Sequence, residues 1–343
     1  MSFNHAYFKM KKIVTPLLYS LFFLTASSQN SSGYHVAKTF HIASGGGWDY
    51  LALNDDKLYV SHGTQVNILN KNNGDSIGVI ENTQGVHGIA FIKKLNKGYI
   101  SNGRTNNVTV FDLKTQKTSG QIATGENPDA IMYDNFSKKI YTCNGRSKDI
   151  SVIDPATGKV IKTIALGGKP ETSVSNDAGK LYINIEDKNE IAEVNTSTFK
   201  VEKRWSIAPA EGPTGLAYDK RTKRLFAGCD KLLVISDASA GKVISKLTIG
   251  DRCDGVAFDP ATKNVFTSNG EGTITVIHEN GANDYKILQN AVTKRGARTI
   301  ALDEETHRLY LSTAEFKPLA RNAPANERPQ MIAGTFQVLV VEK

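Results

Sequence analysis

Residues 128–167 read PDAIMYDNFSKKIYTCNGRSKDISVIDPATGKVIKTIALG. Four short segments in this stretch are rich in β-branched and aromatic residues, and turn residues separate them, which is the pattern of four β-strands. Closely similar stretches follow one another along nearly the whole chain of 343 residues. A repeat of about forty residues that carries four strands is typical of a β-propeller blade. The sequence therefore predicts an all-β propeller built from four-stranded blades.

The inner strand of the repeat sets the number of blades. Its copies read WDYLAL (48–53), VHGIAF (86–91), PDAIMY (128–133), PETSVS (170–175), PTGLAY (213–218), CDGVAF (253–258) and ARTIAL (297–302). The second residues of successive copies lie 38 to 44 positions apart. Seven copies predict seven blades, at about residues 46–82, 85–125, 126–167, 168–210, 211–250, 251–293 and 295–343.

The second strand of the repeat carries a recurring tetrapeptide. Its copies read YVSH (59–62), YISN (99–102), YTCN (141–144), YINI (182–185), FAGC (226–229), FTSN (266–269) and YLST (310–313). In these residues the chain resembles the YVTN-repeat (YncE-like) β-propellers, and the resemblance extends over residues 34–343. It implies a secreted seven-bladed propeller. Some members of that family bind DNA, so nucleic acid is a candidate partner through the resemblance alone.

The two ends of the repeat array complement each other. The last blade stops at its third strand (336–342), and a spare strand, HVAKTFHI (35–42), precedes the first blade. We expect residues 34–42 to complete the last blade, because this closes the ring and removes an open sheet edge. The chain should then form one domain.

The first 28 residues have the pattern of a signal peptide. Lys9, Lys11 and Lys12 precede an apolar run at 13–24, and small residues follow at 26–28. The run is too short for a membrane span, and no cysteine follows it for lipid attachment. We expect export to the periplasm or beyond, with translation starting at Met1 or Met10. A buried N-terminal helix is the alternative.

The second residue of each inner strand should face the central channel at one end of the propeller. These residues are Asp49, His87, Asp129, Glu171, Thr214, Asp254 and Arg298. We expect the last residues of several second strands nearby, namely His62, Asn102, Asn144 and Asn269. The set suits a small polar ligand, and its oxygen atoms would suit a hard divalent ion. The alternative is structural, since aspartates at strand starts often cap turns; no metal site is assigned.

A long connection, residues 314–334, interrupts the last blade. It has about twenty residues where the other blades use only a few, and such loops are usually functional or disordered. It is a candidate lid or partner-contact loop through Phe316, Arg321 and Arg328. A solvated insertion is the alternative.

Three cysteines and several basic turns complete the set of candidates. Cys229 and Cys253 should lie at the same end of neighbouring blades, so a disulfide is geometrically possible if their Cα atoms come within about 7 Å. Cys143 should be a small buried residue. Lysine and arginine pairs fall in the turns between first and second strands, and charge runs in tight turns are usually solvated.

The sequence favours a binding protein over an enzyme. It contains no G-x-S-x-G, H-E-x-x-H or phosphate-loop motif. We expect a non-catalytic, monomeric scaffold without a cofactor, whose channel mouth takes a protein, a glycan or a small polar ligand. The alternative is a metal-dependent, lactonase-like hydrolase in the channel, with Glu171, Asn102, Asn144 and Asp254 as its candidate set.

Overall fold

The computed structural model describes residues 1–3, 33–318 and 329–343. The chain divides into two units, residues 1–31 and residues 32–343, and the strands all belong to the second. The predicted signal segment falls outside the described residues from position 4 onward. No helix among the described residues is long and apolar enough to cross a membrane.

The first three blades follow the initial strand β1 (His35–His41). Blade 1 contains β2 (Trp48–Asn54), β3 (Lys57–His62), β4 (Gln65–Asn70) and β5 (Ser76–Ile80). Blade 2 contains β6 (Val86–Ile92), β7 (Lys97–Asn102), β8 (Asn107–Asp112) and β9 (Thr118–Ala123). Blade 3 contains β10 (Pro128–Asp134), β11 (Lys139–Asn144), β12 (Asp149–Asp154) and β13 (Lys159–Ala165). Short 3₁₀ helices lie at Lys93–Leu95 and, in blade 4, at Glu186–Lys188.

The remaining blades repeat this order. Blade 4 contains β14 (Pro170–Ser175), β15 (Lys180–Ile185), β16 (Glu190–Asn195) and β17 (Lys200–Ser206). Blade 5 contains β18 (Leu216–Asp219), β19 (Arg224–Gly228), β20 (Leu232–Asp237) and β21 (Lys242–Thr248). Blade 6 contains β22 (Cys253–Asp259), β23 (Asn264–Asn269), β24 (Thr273–Gly281) and β25 (Asp284–Val292). Blade 7 contains β26 (Ala301–Asp303), β27 (Arg308–Thr313) and β28 (Gln337–Glu342), joined by β1.

The predicted all-β fold of seven four-stranded blades is confirmed. Each blade is an antiparallel sheet, and neighbouring inner strands contact one another from β2 round to β26, which contacts β2 again. In blade 7, β1 pairs with β28 from His35↔Glu342 to His41↔Gln337. This blade therefore takes strands from both ends of the repeat array.

The core lies between the blades. The middle strands are buried on both faces, whereas the outer strands β5, β9, β13 and β17 are mostly exposed. One apolar cluster joins Tyr141 and Ile150 of blade 3 to Ile183 of blade 4. Burying each such side chain contributes about 1.5–3 kcal/mol, so contacts between neighbours stabilise the ring.

The inner strands share a local irregularity near their first residues. In blades 1, 2, 3, 4 and 6 the pairing of the first and second strands shifts register next to the second residue of the inner strand. Such bulges bend a strand and redirect a side chain. The bulges fall at five of the predicted channel-mouth positions.

Candidate ligand site at the channel mouth

The seven second-position residues line one cavity of about 300 Å³ at the end of the channel. We call this cavity the channel mouth. It brings together the residues that the repeat alignment predicts, Asp49, His87, Asp129, Glu171, Thr214, Asp254 and Arg298. Four further residues line it, Tyr50, Lys169, Glu186 and Thr299.

Hydrogen bonds between blades hold the backbone of the channel mouth. The third residue of the tetrapeptide in one blade donates to a carbonyl oxygen in the next. Ser101 Oγ donates to the Asp129 carbonyl, and Ser268 Oγ donates to the Arg298 carbonyl at 2.5 Å. In blade 4 the side-chain amide of Asn184 donates to the Thr214 carbonyl at 3.1 Å. The repeat thus fixes the site residues from the adjacent blade.

His87 lies between two carboxylates from neighbouring blades. Its Nδ1 is 2.6 Å from Asp49 Oδ2 and 3.9 Å from Asp129 Oδ1. Each of the three residues offers one ligand atom, and the three atoms lie within 4.8 Å of one another. This spacing could hold a metal ion. Because carboxylate oxygen and imidazole nitrogen are common metal ligands, a divalent cation fits this group chemically.

A lysine bridges two acids in the part of the channel mouth that blade 4 contributes. Lys169 Nζ is 2.5 Å from Glu171 Oε1 and also pairs with Glu186. The Lys169 backbone N–H donates to Asp187 Oδ1 at 2.7 Å, which fixes the loop before β14. Lys169 therefore offsets part of the negative charge of both glutamates.

Blades 5 to 7 contribute the remaining predicted residues. Arg298 forms an ion pair with Asp254. Thr214 uses its hydroxyl to donate to the Cys253 carbonyl at 2.8 Å, so its role is structural. Thr299 Oγ1 donates to the Asp49 carbonyl at 2.8 Å and ties blade 7 to blade 1.

Burial changes the protonation of the acids in the cavity. Desolvation raises the pKa of Asp129 to about 6. The positive charge of His87 acts against this shift, and the negative charge of Asp49 adds to it. Desolvation and the neighbouring Asp129 raise the pKa of Glu171 to about 8, although Lys169 acts in the opposite direction. Burial lowers the pKa of His87, but its hydrogen bond to Asp49 and the nearby carboxylates outweigh this, so the net shift is upward.

The channel mouth therefore carries more acids than bases. Five carboxyl groups, Asp49, Asp129, Glu171, Glu186 and Asp254, share the cavity with Lys169, Arg298 and His87. Burial is the main cause of the raised pKa values of Asp129 and Glu171, and neighbouring carboxylates add to it. A ligand with a positive charge would stabilise the ionised carboxylates.

The tetrapeptide asparagines do not reach the channel mouth, contrary to expectation. Asn102, Asn144 and Asn269 are fully buried and donate to hydroxyl groups of the third strand in their own blades. For Asn102 this acceptor is Thr109 Oγ1, at 2.8 Å. His62 is also buried, stacked on Phe336 with ring centroids 3.8 Å apart. These side chains stabilise blades and leave the lactonase-like set without its asparagines.

Sequence reasoning missed Lys169 and Glu186 because they lie outside the aligned strands. Lys169 precedes Pro170 at the start of β14, and Glu186 follows the end of β15. A basic residue also stands at the first of these positions in blade 6 and an acidic residue at the second in blade 5, so neither position by itself distinguishes blade 4. Tyr50 and Thr299 directly follow predicted site residues.

The long connection in blade 7 is described only in part. Phe316 lies beside Trp48, with ring centroids 6.0 Å apart, and bridges Met331 in antiparallel fashion. Arg321 and Arg328 lie outside the described residues. The contact function proposed for this loop therefore stays a prediction for both arginines.

The considered disulfide is not formed. Cys229 and Cys253 are free and buried, as is Cys143. Each thiol of the candidate pair instead contacts a carbonyl oxygen near its own residue, Ala227 for Cys229 at 3.7 Å and Gly255 for Cys253 at 3.6 Å. Burial strongly raises the pKa of both thiols, which keeps them protonated.

Acidic partners neutralise much of the charge of the basic turns. Lys93 pairs with Asp55 at 2.7 Å, and Lys220 pairs with Asp177 at 2.5 Å. Arg224 lies 3.1 Å from Asp237. These contacts give no added support to nucleic-acid binding at this end of the propeller.

No protein-family model matches the chain, and no curated protein matches it. Among solved structures, a chain of hydrazine synthase from Kuenenia stuttgartiensis is similar, with a TM-score of 0.69 and 16% identity. The match covers 79% of this chain and 94% of the other. At this identity the similarity supports the fold and carries no function.

Proposed function

We propose that this chain is a binding protein whose channel mouth takes a small ligand carrying a positive charge, a divalent metal ion being the simplest. The supporting observation is the convergence of Asp49, His87 and Asp129 in a cavity where acids outnumber bases. Because residues 1–28 have the pattern of a signal peptide, we also propose that the protein works after export from the cytoplasm.

The fold suits this role because it holds the ligand groups rigidly. Asp49 belongs to blade 1, His87 to blade 2 and Asp129 to blade 3, and the backbone of each accepts a hydroxyl donor from an adjacent blade. Little conformational entropy remains to be lost when a ligand binds such a preorganised site.

A metal-dependent hydrolase is the second candidate, and one observation favours it. Glu171 has a pKa of about 8 in the same cavity, so near neutral pH it could act as a general acid or base. The asparagines of the original candidate set are absent from the cavity. The binding function therefore has broader support than the hydrolase.

Calorimetric titration of the purified protein with Mn²⁺, Zn²⁺ and Ca²⁺, and separately with ethanolamine, tests the binding function. We expect saturable binding of a divalent ion with one site per chain, and its loss in Asp129→Asn and His87→Gln. Binding of ethanolamine alone would assign the site to organic cations.

His307→Gln is the matched control for His87→Gln. His307 also bonds an aspartate, since its Nδ1 is 2.8 Å from Asp259 Oδ2, but this pair lies away from the channel mouth. This variant should bind like the wild type. If neither the divalent ions nor ethanolamine binds the wild-type protein, the proposed function is wrong.

A further inference from the structure

A second cavity lies beside the channel mouth and differs from it in chemistry. It has a volume of about 450 Å³ and is lined by three arginines and two aromatic rings. We call it the arginine–aromatic pocket and define it by Trp48, Arg252, Arg295, Arg298 and Phe316.

The pocket has a surplus of positive charge. Arg298 is paired with Asp254, whereas Arg252 and Arg295 form no salt bridge within 4.0 Å with any carboxylate of the described residues. Arg252 has one weak side-chain contact, to the Gly270 carbonyl at 3.4 Å. Guanidinium groups bind carboxylate and phosphate oxygens through paired, charge-assisted hydrogen bonds, so three of them around one cavity favour an oxyanion.

Hydrogen bonds fix the main chain at two of the three arginines. Gly270 N–H donates to the Arg252 carbonyl at 2.9 Å, and Gly296 N–H donates to the Gly270 carbonyl at 2.9 Å. The hydroxyl of Thr313 donates to the Arg295 carbonyl at 2.7 Å. The loops that carry Arg252 and Arg295 are thus tied to each other and to blade 7.

Two tilted aromatic rings supply the apolar side of the pocket. Trp48 and Phe316 are partly exposed, and their ring planes are inclined by 52°. Gly296 allows Phe316 to approach, because a Cβ at this position would lie 2.9 Å from Phe316 Cε2. An aromatic group in a ligand could stack on these rings while its anionic group meets the arginines.

From this arrangement we propose that the arginine–aromatic pocket binds a small aromatic oxyanion, a carboxylate or a phosphate ester attached to a ring. The site is separate from the cation site of the channel mouth, although Arg298 borders both cavities. The inference does not depend on the proposed function.

The test is calorimetric titration with phenylacetate and with phenyl phosphate, which distinguish a carboxylate from a phosphate ligand. Acetate, benzyl alcohol and benzylamine are the comparison probes. We expect at least one aromatic anion to bind, each uncharged or ring-free probe to bind about tenfold or more weakly, and benzylamine not to displace the bound aromatic anion.

Two variants address the pocket directly. Arg295→Gln should weaken binding of the aromatic anion by about tenfold or more, because it removes a guanidinium that has no carboxylate partner among the described residues. Gly47→Leu should abolish binding. Gly47 lines the pocket, its φ is not in the left-handed region, and no atom lies within 4 Å of an added Cβ, so a leucine should be accommodated there without strain and occupy space beside the arginines.

Matched controls separate these effects from charge and folding. Arg146→Gln removes the same charge from a different loop, and Gly120→Leu introduces the same side chain on the outer strand β9, where an added Cβ also meets open space. Both should bind like the wild type, and Asp129→Asn should as well. Failure of both aromatic anions to bind, or binding unaffected by Arg295→Gln and Gly47→Leu, would overturn the proposal.

Discussion

The imidazole of His87 and the carboxylate of Asp49 meet across the junction of blades 1 and 2, with Nδ1 and Oδ2 2.6 Å apart. Each residue occupies the second position of its inner strand, so one repeat position supplies both partners. The repeat that builds the ring therefore also places different side chains opposite one another. This makes the channel mouth sensitive to substitutions that leave the fold intact.

Stability should fall as the pH rises from about 6 to about 8. Burial raises the pKa of Glu171 to about 8 and that of Asp129 to about 6, so the folded protein holds protons that the unfolded chain has released. Stability from these groups is lost as the pH rises through their folded pKa values, and the raised pKa of His87 acts in the same direction. The midpoint of thermal unfolding measured between pH 6 and 8 tests this.

Glu171→Gln isolates the contribution of one group. Because glutamine cannot ionise, the variant should show a smaller fall in thermal midpoint between pH 6 and 8 than the wild type. Glu304→Gln, which alters an exposed residue in a turn of blade 7, should keep the wild-type slope. Identical slopes for Glu171→Gln and the wild type would contradict the expected titration.

Lys169→Gln should raise the pKa of Glu171 above about 8. The ammonium group of Lys169 lies 2.5 Å from the Glu171 carboxylate and favours its ionised form, so its removal leaves burial and Asp129 unopposed. Carboxyl ¹³C chemical shifts followed against pH measure this directly. Lys188→Gln removes a nearby charge outside the channel mouth and should leave the Glu171 titration unchanged.

Ser101→Ala should lower the free energy of unfolding by about 1–3 kcal/mol. The hydroxyl donates to the Asp129 carbonyl and accepts from the Gly88 N–H at 2.8 Å, so its loss leaves two polar groups without this partner. Urea denaturation gives the difference. Ser119→Ala removes only a 3.3 Å contact on the outer strand of the same blade and should cost less.

Deleting residues 34–42 should destabilise the whole propeller rather than fray one end. The segment contains β1, which pairs along the length of β28, and Tyr34, whose backbone exchanges two hydrogen bonds with the Gln289 side chain at 2.8 and 2.9 Å. Without it, blade 7 exposes a sheet edge. We expect one cooperative unfolding transition with a midpoint lower by about 10 °C or more, because each kcal/mol corresponds to a few degrees. A truncated protein that unfolds like the full chain would contradict this.

The fold could be predicted from the sequence because each blade repeats the same alternation of buried and turn residues. The seven second-position residues followed from the same alignment, and the structure brings all of them into one cavity. The asparagines could not be placed in this way. The amide of Asn102 donates to Thr109 within its own blade. A repeat pattern does not reveal whether a polar residue at a strand end faces the channel or its own blade.

The additional charged residues of the cavity and its pKa shifts could not be predicted from the sequence either. Lys169 and Glu186 flank the aligned strands of blade 4 at positions where most other blades carry uncharged residues, so the repeat assigns them no role. The upward pKa shifts of Asp129 and Glu171 depend on burial and on charges from other blades. Such effects combine residues about 40 positions apart and appear only once the ring is closed.

Arg298 borders both the channel mouth and the arginine–aromatic pocket. A cation in the channel mouth that binds Asp254 in place of Arg298 would leave that guanidinium available to an anion in the arginine–aromatic pocket. An anion bound to Arg298 would likewise leave Asp254 available to a cation. Thermodynamic linkage requires the two effects to be equal in size. If both proposed sites bind their ligands, this one ion pair would couple the uptake of two oppositely charged ligands without any movement of the blades.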